Sequence, residues 1–344
     1  MIDRSETGDS YRPRIDVSIV TWNSDAFVDK CLRGVADQED VDCEVVVVDN
    51  ASTDGTIRSL QQWSDFIKLI QLPMNSGYSH AHNIAVQGSS APYIACLNPD
   101  VFLEEDYLSR IVRFLDCNPR FGGAIGKIEQ SKDFSKLEES ATRTGCIDTM
   151  GLEIRRSRHF VARRFGLPDT GLEVAPEEVF GVDGMAPVYR RTMLEEIAVG
   201  SEYFDEDFFA YCEDQDLSWR ARLCGWRFAC VPTSVAHHVR TWKPSKITAR
   251  RVISPIQRRH AIRNHYWMII KNDSPALACL HLPFILSRLL LIIAYSALFE
   301  RHSLLAFVDI FRKMPQIAKK RRLIMSRRTV GAKEMKRWFG GFGS

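Results

Sequence analysis

The stretch from Phe204 to Leu217 reads FDEDFFAYCEDQDL and holds six carboxylates among four aromatic rings. Rings seek burial, whereas carboxylates resist it unless paired, hydrogen-bonded or bound to a cation. That conflict marks a place where a carboxylate can be made reactive as a proton acceptor. The other reading is a solvated turn at Asp205 to Asp207, followed by a helix whose first-turn acids Glu213 to Asp216 suit its dipole. Asp216 lies four residues before Arg220, which predicts an ion pair along that helix. A second polar set lies upstream, each member just past an apolar run: Thr21 and Asn23, Asp49 and Asn50, Asn75, then Asn98 and Asp100.

The elements that must position these residues alternate. Ile15–Thr21, Cys43–Val48, Phe66–Leu72 and Tyr93–Leu97 read as strands rich in β-branched residues. Helices are expected over Ser24–Gln38, from Asp54 to about Ser64, from Ser76 through Val86, and over Glu104–Asp116. The near-continuous valines of the second strand call for burial on both faces, as in a parallel sheet. Repeated βαβ units predict an α/β fold, with ligands bound beyond the carboxyl ends of the strands, where the polar set falls. Phe121–Ile128 predicts a further strand, residues 131–180 loops or a hairpin over the site, and Val182–Ala186 another strand. Asp214–Cys224 predicts a helix, Trp226–Val231 a short strand with His237-His238 just beyond it, and Ile247–Ile270 a basic helix. No G-x-G-x-x-G and no phosphate loop follows the first strand, so dinucleotide and Walker-type sites are not expected. Nucleotidyl transfer, which needs such a loop, is disfavoured by Thr21-Trp22-Asn23-Ser24 in its place.

The formal net charge of +3 hides an asymmetry. From Arg301 onward there are twelve Lys or Arg against two acids; the remainder carries 34 basic and 41 acidic residues. A basic tail on an acidic body suggests a polyanionic partner for the tail. The nine cysteines include no C-x-x-C pair, which fits a reducing compartment better than a disulfide framework or a zinc site. Met1–Arg14 is polar, without the apolar centre of a signal peptide, and is expected to be a loose arm.

Four blocks together resemble glycosyltransferase family 2. They are Val45–Thr56 (VVVVDNASTDGT), Asn75-Ser76-Gly77-Tyr78 with Asn83, Leu97-Asn98-Pro99-Asp100-Val101, and Gly200–Asp216, in order over roughly residues 15–270. The branch most similar is that of rhamnosyltransferase-like enzymes of bacterial surface polysaccharide assembly. The resemblance implies a GT-A fold: a nucleotide-sugar half over residues 15–125 and an acceptor half over 126–270, followed by a helical extension over 271–344. It implies inverting transfer of a sugar from a dTDP- or UDP-sugar, L-rhamnose being expected, to a glycan or polyprenyl-linked acceptor. A catalytically inert scaffold of the same fold is the alternative, and it would have no need of Asp100, Glu213 and Asp214.

The resemblance also implies roles. Asp214 is the candidate base and Glu213 its rival. Asp100 is the candidate metal ligand, for Mg²⁺ or Mn²⁺, which favour hard oxygen ligands. Asn98 replaces the first acid of the family's Asp-x-Asp and removes one charge. His238 is a candidate second metal ligand, with His237 beside it; on a strand the two would face opposite ways. Thr21, Asn23, Asp49, Asn75, Gly77, Asn98 and Asp100 are assigned to the donor crevice, although Asn23 or Ser24 could simply cap the first helix and Asp54 its own. Phe208, Phe209 and Tyr211 either desolvate the base or stack on sugar, and Arg263 joins them on the acceptor side. Arg190-Arg191 and Arg263-Asn264 either meet phosphate or pair with the acidic block.

Ala276–Phe299 is apolar and long enough to span a bilayer, which takes about 20 residues. Pro283 and Arg288 fall near its middle, and a central Arg costs about 2.5–3.5 kcal/mol. Two shorter helices in the interface or on the body are therefore expected. The basic clusters that follow suit an anionic membrane surface better than nucleic acid, for which no recognition motif is present. A peripheral or monotopic position on the cytoplasmic face follows.

Overall fold

The computed structural model describes residues 12–132, 143–239 and 254–340. The nucleotide-side elements are β1 (Arg14–Thr21), α1 (Val28–Ala36), β2 (Asp42–Asp49), α2 (Thr56–Gln61), β3 (Ile67–Gln71), α3 (Tyr78–Gln87), β4 (Tyr93–Leu97), β5 (Val101–Leu103) and α4 (Tyr107–Cys117). Next come β6 (Phe121–Ser131), β7 (Arg143–Thr149), β8 (Leu152–Ile154), β9 (Phe160–Ala162), β10 (Glu177–Val179), β11 (Val188–Arg190), α5 (Arg191–Ile197), α6 (Glu213–Leu223) and β12 (Arg227–Val239). Six helices follow: α7 (Pro255–Asn272), α8 (Pro275–Leu280), α9 (Leu282–Phe299), α10 (Leu305–Arg312), α11 (Met314–Ser326) and α12 (Ala332–Met335).

The valines do what a two-sided parallel sheet requires. Val17, Ile19, Val45 and Val47 pack into one core with Cys31, Leu32 and Val35 of α1 and Ile111 and Leu115 of α4. Val20 and Val48 face the other way, onto Ala81 and Ala85 of α3. The main sheet runs β10-β12-β6-β11-β4-β1-β2-β3. Its β4-β1-β2-β3 part is parallel, so Thr21 lies level with Asp49 and Asp49 level with Gln71. Beyond β4, β11 runs antiparallel and links this half to the parallel pair β6 and β12.

Three expectations need correction. The segment expected to be loops or a hairpin over 131–180 does hold a hairpin, β8–β9, but in its described part it also contains β7 and β10. Its charges pair across strands, as where Arg163 meets Glu153 at 3.1 Å and Glu177 at 2.8 Å, which is why the sequence looked loop-like. Val182–Ala186 is not a strand, because Asp183 Oδ1 accepts from Met185 N (3.2 Å) and turns the chain; β11 follows it. The strand expected to stop at Val231 runs to Val239, since a register shift between Val231 and Val235 absorbs Pro232. The expected start of the basic helix at Ile247 lies outside the described residues.

The C-terminal helices share a core with the body. Phe208, Trp219, Trp267, Ile310, Ile317, Ile324, Trp338 and Phe339 pack in one cluster. Pro283 sits in the first turn of α9, where a missing N–H is harmless, so α9 runs unbroken for 18 residues with a mean hydropathy of 2.0. It is long and apolar enough to cross a membrane by length and composition, and only 6% of it is buried against the protein. Arg288, which sequence placed as an interruption, turns its guanidinium toward His159 Nδ1 (3.1 Å) on the body.

Candidate functional site

The ends of β1, β2 and β4 form a crevice whose floor is rigid. Thr21 Oγ1 donates to Asp49 Oδ1 (2.8 Å), and Ser52 N donates to Asp49 Oδ2 (2.9 Å). Thr21 and Asp49 are buried, so they brace the crevice from below. Asn23 does not cap α1, which starts at Val28; its Oδ1 accepts from Thr53 N (2.9 Å), tying the β1 and β2 loops together. Asp54 precedes the N-cap residue, Gly55, of its helix, and its Oδ1 accepts from Thr56 N (3.0 Å). Trp22 stands more than half exposed at this rim, a feature the sequence reading passed over. Asn75 Oδ1 accepts from Gly77 N (3.0 Å), and Asn50 holds the same turn through Gly77 O (3.2 Å) and Ser76 N (3.2 Å).

Next to it, β5 pairs antiparallel with β12, so Val101 faces His238. The strand alternation separates the two histidines. His237 Nε2 meets Glu104 at 2.9 Å, whereas His238 Nε2 lies 3.3 Å from Asp100 Oδ2 and its Nδ1 lies 2.5 Å from Asp148 Oδ2. Burial opposes a charge on His238, but its hydrogen bonds to Asp100 and Asp148 outweigh burial and lift it to about 9. Asp100 Oδ1 is buried and has no partner. Among the described residues, no three His, Cys, Asp or Glu side chains form a metal-binding group by themselves. Asp148 lies in a segment read as irregular, and nothing in its sequence surroundings marked it.

The acidic aromatic block wraps around α3 and α6. Gly184 N donates to Asp214 Oδ2 (3.1 Å). The adjacent Met185 accepts through its carbonyl from Asn98 N (2.9 Å), and Tyr78 OH donates to Gly184 O (3.0 Å). Residues 184 and 185 therefore join the candidate base, the Asn98–Asp100 turn and the start of α3. Burial raises Asp214 to about 7, with the neighbouring Asp183 carboxylate adding to it. Burial raises Glu213 to about 8, with repulsion from Asp214 adding to it. Glu213 is the more enclosed, and its Oε2 has no partner; Asp214 is half-buried and oriented. Asp183, expected in a strand, is a buried member of this carboxylate group.

The loop before the base is strained. Phe209, Tyr211 and Cys212 have φ of 66°, 74° and 69°, a left-handed region costly for such side chains. It is held from three sides. Tyr78 N and Ser79 N, at the start of α3, donate to Phe209 O at 2.6 and 3.3 Å. Asn264 Nδ2 lies 2.8 to 2.9 Å from the carbonyl oxygens of Phe208, Ala210 and Tyr211. Arg263 Nη2 donates to Asp207 O and Phe208 O, both at 3.1 Å. Asn83, which could have been an ordinary helix residue, is buried and clamps the block: its Oδ1 accepts from Phe204 N (2.9 Å) and its Nδ2 donates to Phe204 O (2.8 Å).

Several expected site residues are placed elsewhere. Phe208 is fully buried, stacked on Trp267 at 6.4 Å, and so cannot face an acceptor; Phe209 and the exposed Tyr211 remain at the surface of the loop. Among the described residues Arg190 and Arg191 do not pair with the acidic block; they donate to Leu115 O and Ala91 O, each at 2.6 Å. Asp216 does pair with Arg220 (2.9 Å) and also with Lys271 (3.0 Å). Asp205 and Asp207 shape the turn and are neutralised by the tail: Lys320 reaches Asp205 at 2.5 Å and Asp207 at 2.9 Å, and Lys313 reaches Asp207 at 2.5 Å. Part of the polyanion expected for the basic tail is therefore the protein's own acidic block.

The family profile of glycosyl transferase family 2 matches residues 16–197. The chain is 27% identical over 241 residues to the N-acetylglucosaminyl-diphospho-decaprenol L-rhamnosyltransferase of Mycobacterium tuberculosis, covering 65% of this chain and 76% of that protein. It is 22% identical over 229 residues to the poly-beta-1,6-N-acetyl-D-glucosamine synthase of Staphylococcus epidermidis, covering 64% of this chain and 48% of that protein. Over the first relatives the matched stretch spans 43% to 76% of their own length. Among solved structures, GalNAc-T7 with UDP, GalNAc and Mn²⁺ superposes with a TM-score of 0.57 at 14% identity, covering 76% of this chain and 48% of that one. The mannosyltransferase PcManGT of Pyrobaculum calidifontis, in complex with GDP-Man and Mn²⁺, superposes with a TM-score of 0.51 at 17% identity, covering 92% of this chain and 86% of that one. At these identities the likeness speaks to the fold, which is the GT-A arrangement.

Proposed function

The chain belongs to glycosyl transferase family 2, and from that premise we propose that it transfers a sugar, L-rhamnose from dTDP-rhamnose being our choice, to a lipid-linked or cell-surface glycan with inversion. The observation that carries the reading is the position of Asp214, oriented by Gly184 N one residue from the carbonyl that holds Asn98. In this reading Asp214 takes the proton of the acceptor hydroxyl. The hydroxyl oxygen forms its bond to the anomeric carbon as the bond from that carbon to the diphosphate breaks on the opposite face. Glu213, buried where Asp214 is half-buried, is the less accessible of the two to an acceptor hydroxyl, which favours Asp214 as the acceptor of the proton.

Asp100 and His238 would hold a divalent ion, Mg²⁺ or Mn²⁺. The partnerless Asp100 Oδ1 beside the His238 imidazole suits one; the ion would take the place of the proton that Nε2 shares with Asp100 Oδ2, with Asp148 fixing the far ring nitrogen. When bound, such an ion neutralises charge on the departing nucleoside diphosphate. Two protein ligands leave room for donor phosphate oxygens and water, as is usual for Mg²⁺ sites. The choice of rhamnose rests on the mycobacterial relative. A cytoplasmic membrane-face position is supported by the exposed apolar residues of α9, such as Leu290, Leu291, Leu298 and Phe299, and by the basic α11.

The test is a donor panel: purified protein with Mg²⁺ or Mn²⁺, a lipid-linked N-acetylhexosamine acceptor, and dTDP-rhamnose, UDP-sugars and GDP-mannose, reading nucleoside diphosphate release. Release with dTDP-rhamnose alone supports the reading. Release with another sugar nucleotide moves the donor assignment, and no release with any of them overturns transfer.

A further inference from the structure

Helix α7 and the end of α10 enclose a cavity of about 400 Å³, and its walls are cationic. Arg259, His260, Arg263 and Trp267 come from one face of α7, and Arg312 and Lys313 from the end of α10. Two of these cations are matched, Arg259 by Asp309 in a two-pronged pair at 2.6 and 2.7 Å and Lys313 by Asp207 at 2.5 Å, which leaves Arg263 and Arg312 without an ion pair among the described residues. Arg312 is exposed and has no ion-pair partner among the described residues. Burial, and after it the Arg263 and Arg259 charges against the opposing Asp309, hold His260 below its ordinary value. Walls of this kind select a multiply charged phosphate group.

What lies at either end narrows the choice of ligand. At the inner end, Arg263 holds the carbonyls of Asp207 and Phe208, and the His260 ring meets the Phe209 ring edge-on at 5.5 Å. That end is the base loop, five residues before Asp214. Ile256 in the wall is an exposed apolar side chain, and Val308 and Phe311, next to Asp309 and Arg312 along α10, are exposed as well. A ligand that fills this space carries a sugar on one side, a strongly anionic centre, and a hydrocarbon chain on the other.

We propose that this cavity is the docking site for the diphosphate of a lipid-linked acceptor, with the lipid leaving over α10 and the sugar presented to Asp214. This rests on the acceptor class put forward above and adds to it the group that the protein recognises. It also gives the cations of α10 a ligand role separate from the attraction of α11 to an anionic surface.

The experiment uses the full chain in detergent micelles, without donor, and farnesyl diphosphate as the probe in isothermal titration calorimetry. Binding at least tenfold tighter than that of farnesol or inorganic pyrophosphate is expected. It should persist in saturating UDP and dTDP with Mg²⁺, and it should weaken tenfold or more in Arg312→Glu, whose exposed side chain bears no part of the fold. Phosphatidylglycerol added to the micelles in tenfold excess over the probe should not displace it. Displacement by the nucleotides would put the probe in the donor crevice, displacement by phosphatidylglycerol would make the patch a general anionic surface, and unchanged affinity in Arg312→Glu would remove the cavity; each overturns the proposal. Because no donor is present, such a failure leaves the donor panel untouched, and a silent donor panel leaves this binding result standing.

Discussion

Lys320 of α11 brings its ammonium to 2.5 Å from Asp205 Oδ1, so the last helices of the chain are locked to the turn that leads into the base loop. Asp205 is buried and also pairs with Lys271. Burial opposes its charge, but the two lysines hold its carboxyl well below the ordinary range. The stability this contributes is present above the unfolded carboxyl value and is lost as pH falls below about 4. Lys320→Met leaves a buried carboxylate short of a partner and is expected to cost about 3 kcal/mol, the low end for breaking a buried pair. Urea denaturation at pH 7 measures it, and adding Asp205→Asn should recover part of the loss. Deleting residues 301–344 is therefore expected to unfold the base loop as well as to reduce liposome association.

The raised carboxylates set a pH profile for turnover. Asp214 must be ionised to accept a proton, so kcat/KM should rise about tenfold per unit up to pH 7 and level off above it. Stability should move the other way. A carboxyl raised on folding favours the folded state below its unfolded value of 3.8, and that advantage is lost as pH rises through about 7. Asp214→Asn is expected to abolish transfer, to keep nucleotide binding, and to be more stable than the parent at pH 8 by about 1 kcal/mol, a stability–activity trade-off. Full activity in this variant would make Glu213 the base.

Much of this was legible because the signals were local. Valine runs gave β1 and β2, the polar strand ends gave the crevice, and the Asp216 to Arg220 spacing gave their ion pair. What escaped was non-local. Asp148 becomes a partner of His238 only because β7 pairs with β6, which pairs with β12. Asn264 lies more than 50 residues from the three carbonyls it holds. That Lys313 and Lys320 also pair with the protein's own acids could not be read locally, because those acids lie about 110 residues upstream. Phe208 was misassigned because an aromatic beside acids does not reveal whether it packs inward against Trp267.

The pairing of Asp148 with His238 yields a metal prediction. EDTA should abolish transfer, and Mn²⁺ or Mg²⁺ should restore it. Asp148 touches the far nitrogen of His238, so Asp148→Asn should leave the ligands in place while loosening the ring. The metal concentration for half-maximal activity is then expected to rise on the order of 10–100-fold, with little change at saturating metal. An unchanged metal requirement would leave His238 as a structural ion-pair partner of Asp100.

Gly77 tests the strained loop from its other side. Its φ is +93°, and a Cβ there would lie 2.6 Å from Phe209 O, the carbonyl that Tyr78 N and Ser79 N hold. Gly77→Ala therefore meets both an unfavourable backbone angle and backbone it cannot displace without moving the loop. A stability loss of about 1–3 kcal/mol is expected from the strain alone. The kinetic effect should exceed it, because Phe209 is five residues from Asp214 and a shift of the loop misplaces the base. A kcat reduced a hundredfold or more, in a protein that still unfolds cooperatively and still binds nucleotide, is the expected result. A kcat within a few-fold of the parent would show that base placement does not depend on the contact between α3 and this loop.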